Sequence, residues 1–193
     1  MHTTITERAS FLDRPMSEQS TRKFVGGLVL VALTAWGLTV YLSTQVAVDN
    51  TTHLVALAVH IVSMAAAFGV VLLVDWHGFL WLLRRRRLSE TIRLDGAATP
   101  LIWGGLAGMM VSGVFLSPDL TSALTVTKLA AVLILTVNGI LLIPLMRRLV
   151  QLPPTTTFGG LPMGQRIHML LGASISQAAW WTAILVGFVN ASS

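Results

Sequence analysis

Two ionisable side chains stand inside otherwise apolar runs, and they are where this sequence could do chemistry. Lys128 lies about six residues into a run that opens at Ser122, which on a helix is about 9 Å of depth. His60 lies six or seven residues into another run, Leu54–Val74. A lysine at the centre of a membrane helix costs about 2.5–3.5 kcal/mol on insertion scales, so such residues mark functional sites by default. A buried ammonium calls for an anion, such as a substrate or cofactor carboxylate. An imidazole suits iron, copper or zinc, or bridges two helices by a hydrogen bond. His53 precedes His60 by seven residues, on nearly the same helical face. That spacing makes His60 and His53 the candidate metal ligands, with Met64 as a further donor. The bland alternative for Lys128 is that its long side chain snorkels back toward headgroups.

Other polar residues have simpler readings. Asp75 and His77 close the second run beside Arg84–Arg87, so Asp75 is expected to pair with one of those arginines. His168 opens the last run at the same level, where a His77–His168 pair could hold a metal or a haem. Asn138 and Gln177 sit near mid-span and suit reciprocal amide hydrogen bonds between helices. Trp76 and Trp81 fit an interfacial aromatic belt. Trp36, Trp103 and Trp180 could wall a flat ligand or simply pack.

The elements that must carry these residues are membrane helices. Of 193 residues, 54% are hydrophobic and 11% charged, against about a quarter charged in a soluble domain. Five apolar runs cover about 24–43, 54–74, 97–116, 122–146 and 167–189. Each approaches the roughly 20 residues that a helix needs to cross about 30 Å of hydrocarbon. None alternates as a barrel strand does. The first run is longer than the apolar core of a cleaved signal, so it reads as a retained span.

Basic residues set the orientation. Arg8, Arg14, Arg22 and Lys23 precede the first run. Arg84, Arg85, Arg86, Arg87 and Arg93 lie between the second and third, and Arg147, Arg148 and Arg166 around the fourth connection. The first and third connections and the C-terminal tail have none. Twelve of the 13 Lys and Arg residues therefore fall on one side of an N-in, C-out, five-span path, and the thirteenth is Lys128. The expected fold is an all-α integral membrane bundle of five helices. A polar cytoplasmic tail, residues 1–23, precedes a membrane domain over 24–190, in a bacterial-type plasma (inner) membrane.

Packing follows from small residues. Gly104, Gly108 and Ser112 recur every four residues on the third span, and Gly172 and Ser176 do so on the fifth. Such stripes let backbones approach. The segment Gln151–Gln165, rich in Pro, Thr and Gly, reads as a loop.

The stretch HLVALAVHIVSMAAAFGVVLLVDWHGFLWLLRRRR, then TPLIWGGLAGMMVSG and TVTKLAAVLILTVNG, resembles the HemJ-type protoporphyrinogen oxidases and the related CopD-type membrane domains. The resemblance covers about 52–148. It implies that His60 stands where a span-embedded histidine ligates b-type haem, and Lys128 where a lysine opens a later span. Asn138-Gly139-Ile140 departs from the family's pattern, which carries a further histidine there.

The reading that follows is a membrane-embedded b-type haem-binding or redox protein. Its site, His60 and Lys128, lies in the outer half of the bilayer, with haem b as cofactor. A second reading is a small copper-type metal transport or handling protein using His53, His60 and Met64. A third is a non-catalytic accessory subunit, partnered by other membrane subunits or by copies of itself. The chain has no cysteine, which excludes disulfides, thiolate metal sites and a thiol nucleophile. It has no Walker loop, HExxH or GxSxG motif. The Arg84–Arg87 block adjoins an apolar run and reads as a headgroup contact of about 1 kcal/mol per residue, not as a nucleic-acid site.

Overall fold

The computed structural model describes residues 17–192, and within them the fold is helical. It contains α1 (Glu18–Gln45), α2 (Asn50–Leu82), α3 (Leu88–Gly113), α4 (Ala123–Val150) and α5 (Met163–Ser192), with a single 3-10 turn at Phe158–Gly160. Each expected span maps onto one helix; α1, α2 and α5 overrun their spans at both ends, whereas α3 starts nine residues earlier than expected and stops at Gly113, three residues short of the expected end. Residues 1–16 of the expected tail lie outside the described residues, while 18–23 already belong to α1. The helix starts there because Ser17 caps it, its hydroxyl accepting from the Ser20 amide at 3.2 Å.

Among the described residues, α1, α2, α4 and α5 are long and apolar enough to cross a membrane. The remaining helix, α3, falls short of that measure. Gly96, Gly104, Gly105, Gly108, Gly113 and Pro100 dilute its apolar content. The outside of the bundle is apolar all the same: Val62 is 68% exposed, Val111 66% and Phe188 73%. Buried positions include Ser112 and Thr136. An apolar exterior over a partly polar interior suits a lipid solvent, where exposed hydrocarbon costs nothing.

The helices associate as two close pairs, α2 with α3 and α4 with α5, and α1 lies against α4 and α3. The α2–α3 pair is the tightest. A Cβ on Gly105 would sit 2.6 Å from the Ala67 Cβ and 2.8 Å from the Ser63 carbonyl oxygen, and one on Gly108 would overlap the Ser63 hydroxyl. Gly104 has nothing within 4 Å. The close-approach stripe is therefore Gly105, Gly108 and Ser112, not Gly104, Gly108 and Ser112. Helical spacing of three then four follows 3.6 residues per turn better than two fours. On the other pair, Gly172 faces the Leu142 side chain. There the Asn138 amide donates to the Gly172 carbonyl at 2.8 Å. Asn138 and Gln177 thus do not bond each other. α1 is held to α4 by the Trp36 indole donating to the Leu129 carbonyl at 3.2 Å, and by Arg147 over the Phe24 ring at 6.0 Å.

The two ends differ. At the basic end, connections 83–87 and 151–162 enclose a second core of Trp81, Leu88, Leu145, Leu149 and Leu161. Trp81 is 2% exposed, and its indole donates to the Thr156 carbonyl at 2.9 Å. It is therefore an anchor for the 151–162 loop and not a belt residue, whereas Trp76 is 55% exposed, as a belt residue would be. Arg84, at φ 58, turns the chain out of α2. The Arg85 amide reaches back to the Leu80 carbonyl at 2.8 Å, the six-to-one bond of a Schellman close.

Candidate functional site

The packing of α2 on α3 builds the site. These antiparallel helices meet in a ladder whose rungs are Ala67 with Gly105, then Ser63 with Gly108. One further turn along each helix, three residues back on α2 and four forward on α3, brings His60 to Ser112. Their side chains are joined at 3.0 Å, from His60 Nδ1 to Ser112 Oγ. The small residues thus set the distance at which the imidazole meets α3.

His60 opens on a cavity of about 80 Å³ that every helix helps to line. Lys128 of α4 lines the same cavity, with Trp36 of α1, Met64 of α2, Met109 and Met110 of α3, and Trp180 of α5. The two ionisable residues singled out from sequence are brought together. Among the described residues no carboxylate lines the cavity. Among the described residues the ion pairs are Arg86–Glu90 and Arg148–Glu18, both exposed, so the Lys128 ammonium has no ion-pair partner there. An uncompensated cation at the edge of an apolar cavity is costly unless an opposite charge meets it.

His53 does not join them. It lies one helical stretch of about 10 Å from His60 along α2, beyond the reach of a shared ion, and it is absent from the cavity lining. Nor are His77 and His168 paired. His77 Nδ1 bonds the Leu73 carbonyl at 3.0 Å in its own helix, and His168 lines a separate notch with Arg148. Among the described residues no group of three His, Asp or Glu is placed to hold a metal. Thioethers could still do so: Met64, Met109 and Met110 surround the His60 cavity, and thioether sulfur with imidazole suits Cu(I).

A b-type haem, the cofactor implied by the family resemblance, needs an axial donor, a partner for its carboxylates and room. His60 would supply the first and Lys128 the second. The cavity is smaller than the roughly 300–1,000 Å³ of pockets that bury drug-sized ligands. Its volume suits a carboxylate and a few waters. As packed, the side chains leave no space for a whole macrocycle.

A second polar cluster lies toward the basic end. Asp75 does not pair with an arginine; the Gln177 amide of α5 donates to its Oδ2 at 2.6 Å. Asp95, two residues before the third apolar run, lies close enough to feel the Asp75 charge. Burial, and then that charge, push the Asp95 carboxyl up to about 6. Nothing in the linear sequence signals this meeting of Asp95 with Asp75, since they belong to different helices. By contrast, two carboxylates at the bare end are held below the usual range. Asp49 accepts from the Thr52 amide and hydroxyl, and Asp119 from the Thr121 hydroxyl and amide.

Trp36 and Trp180, expected either to wall a ligand or to pack, do line the cavity, whereas Ser112, Met109 and Met110 are lining or contact residues whose place there sequence reasoning did not identify. Ser112 was legible only as a small packing residue, and the methionines only as apolar filler. The chain matches no protein-family model, no curated protein and no solved structure.

Proposed function

We propose that this is a five-span membrane protein, N-terminus inside, whose His60–Lys128 cavity binds an anionic ligand in the outer half of the bilayer. The observation that carries the ligand reading is the shared cavity: an imidazole and an ammonium, contributed by α2 and α4, with two indoles and, among the described residues, no carboxylate in its lining. The segregation of Arg and Lys supports the topology, with α3 entering the membrane as a glycine-rich helix covered by α2. The chain has no cysteine, so single substitutions test it cleanly. Ser117→Cys should react with an impermeant maleimide on intact cells, and Ser89→Cys only after permeabilisation; the reverse pattern refutes the topology.

The ligand class is a carboxylate-bearing amphiphile whose acid group meets Lys128. A b-type haem is the specific member of that class suggested by the resemblance, and it requires the cavity to widen. An absorption spectrum of the detergent-purified protein, oxidised and reduced, decides it. A Soret band lost in His60→Ala supports haem, and its absence from a haem-replete preparation sinks it. The wider class is tested by quenching of tryptophan fluorescence with a nitroxide-labelled fatty acid and its methyl ester. Trp36 and Trp180 line the cavity, so the acid should quench more than the ester, and Lys128→Met should remove the difference. Equal quenching by both would refute the anion reading.

A second reading, soft-metal handling, is favoured by Met64, Met109 and Met110 around His60. It predicts stoichiometric Cu(I) binding by the purified protein, weakened by Met109→Leu. The Lys128 charge opposes it, which is why the anion reading comes first.

A further inference from the structure

The Ser112 hydroxyl has one proton and three oxygen or nitrogen neighbours. It lies 2.6 Å from the Gly108 carbonyl oxygen, 3.3 Å from the Met109 carbonyl oxygen and 3.0 Å from His60 Nδ1. Two carbonyls can only accept, so the short contact to Gly108 takes the hydroxyl proton. Without a proton, an oxygen–oxygen approach of that length would be repulsive. The hydroxyl then has only lone pairs left for the imidazole, and it must accept from Nδ1–H. A neutral imidazole carries one N–H. Its remaining nitrogen, Nε2, is therefore a bare lone pair.

We propose that Ser112 is a positioning residue that fixes His60 as the Nδ1–H tautomer and so presents Nε2 to the cavity as a base or ligand atom. This rule of recognition adds to the anion reading. A ligand must offer an acceptor to Lys128 and, at Nε2, a proton donor or a metal ion. A hydrogen bond to one imidazole nitrogen commonly sets which of the two does the work. Here the device belongs to the helix pair itself, because Ser112 is buried, 4% exposed, and bonded back to its own helix.

The tautomer depends on the His60–Ser112 geometry and anion binding on Lys128, so either can fail while the other stands. The test is solid-state nitrogen NMR of the full chain in lipid vesicles, labelled at histidine nitrogens, without added ligand. The His60 signals are assigned as those missing from His60→Gln. The expected spectrum has a protonated Nδ1 and an unprotonated, pyridine-like Nε2. Ser112→Ala should move the tautomer ratio toward Nε2–H by about fivefold to tenfold, the worth of one hydrogen bond. Ser112→Thr should preserve it, while helix content and melting stay those of the parent. Should Ser112→Ala fail to accumulate, Ser112→Cys carries the same test, because a thiol is the weaker acceptor. A protonated Nε2 in the parent chain overturns the proposal. So does an unchanged ratio in Ser112→Ala, which would give the role to the Met109 carbonyl, a second backbone acceptor close to the ring.

Discussion

Gly104 and Gly105 are neighbours in sequence and opposites in surroundings, so the same substitution at each should give different results. Gly104 has nothing within 4 Å, while a Gly105 Cβ would lie 2.6 Å from the Ala67 Cβ and 2.8 Å from the Ser63 carbonyl oxygen. Carbon atoms in contact prefer about 3.5–4.0 Å, so Gly105→Ala must part α2 and α3 by about 1 Å. One of the two obstacles is backbone and cannot rotate away. Overpacking of this kind costs about 1–3 kcal/mol. Both variants gain the same helix propensity, about 1 kcal/mol for glycine to alanine, so the difference between them isolates the clash. The expected gap is about 1–3 kcal/mol, or roughly 5- to 160-fold in the folding equilibrium. Reversible unfolding in mixed micelles, followed by tryptophan fluorescence, measures it. Adding Ala67→Gly to Gly105→Ala should restore part of the loss and not all, since the Ser63 carbonyl remains. If Gly104→Ala and Gly105→Ala agree within about 0.5 kcal/mol, a typical additivity error, the helix pair is not packed as described and the His60–Ser112 contact loses its support.

Three further outcomes are expected. Trp81→Phe removes the donor to the Thr156 carbonyl, worth about 1 kcal/mol; cleavage of the detergent-solubilised protein by chymotrypsin at Phe158 should become about fivefold faster, and an unchanged rate would deny the anchor. Asp95 should titrate near pH 6 in infrared spectra of its protonated carboxyl, a band missing from Asp95→Asn. Because the Asp75 charge helps raise that value, Asp75→Asn should move the midpoint to lower pH, and a move upward would reverse the argument. Glu90→Gln breaks an exposed i,i+4 pair with Arg86 and should change stability by no more than about 0.5 kcal/mol in the same micelle titration.

How much of this was legible beforehand differs by residue. The five helices were, because runs such as Leu54–Val74 are apolar for far longer than a buried strand or a surface helix permits. Lys128 and His60 stood out because an ionisable group in such a run is costly wherever it points. Asp75 was misassigned to the arginines because proximity in sequence was the only guide available. Its partner, Gln177, lies 102 residues away on α5. Trp81 looked interfacial by position, yet the 151–162 loop folds over it. The glycine stripe was displaced by one residue because a four-residue rule ignores the fractional turn of the helix.

The sequence by itself determined the solvent and the secondary structure. Both are local, set by how apolar each twenty-residue run is and by where the arginines fall. Only the tertiary structure decided that His60 and Lys128 line one cavity, that His53 does not, and that Ser112 holds the imidazole. Those facts depend on rotation of each helix about its axis and on its closest neighbour. A hydropathy pattern leaves both undetermined; for α2 and α3 they are seen in the close approaches of Gly105 to Ala67 and Gly108 to Ser63.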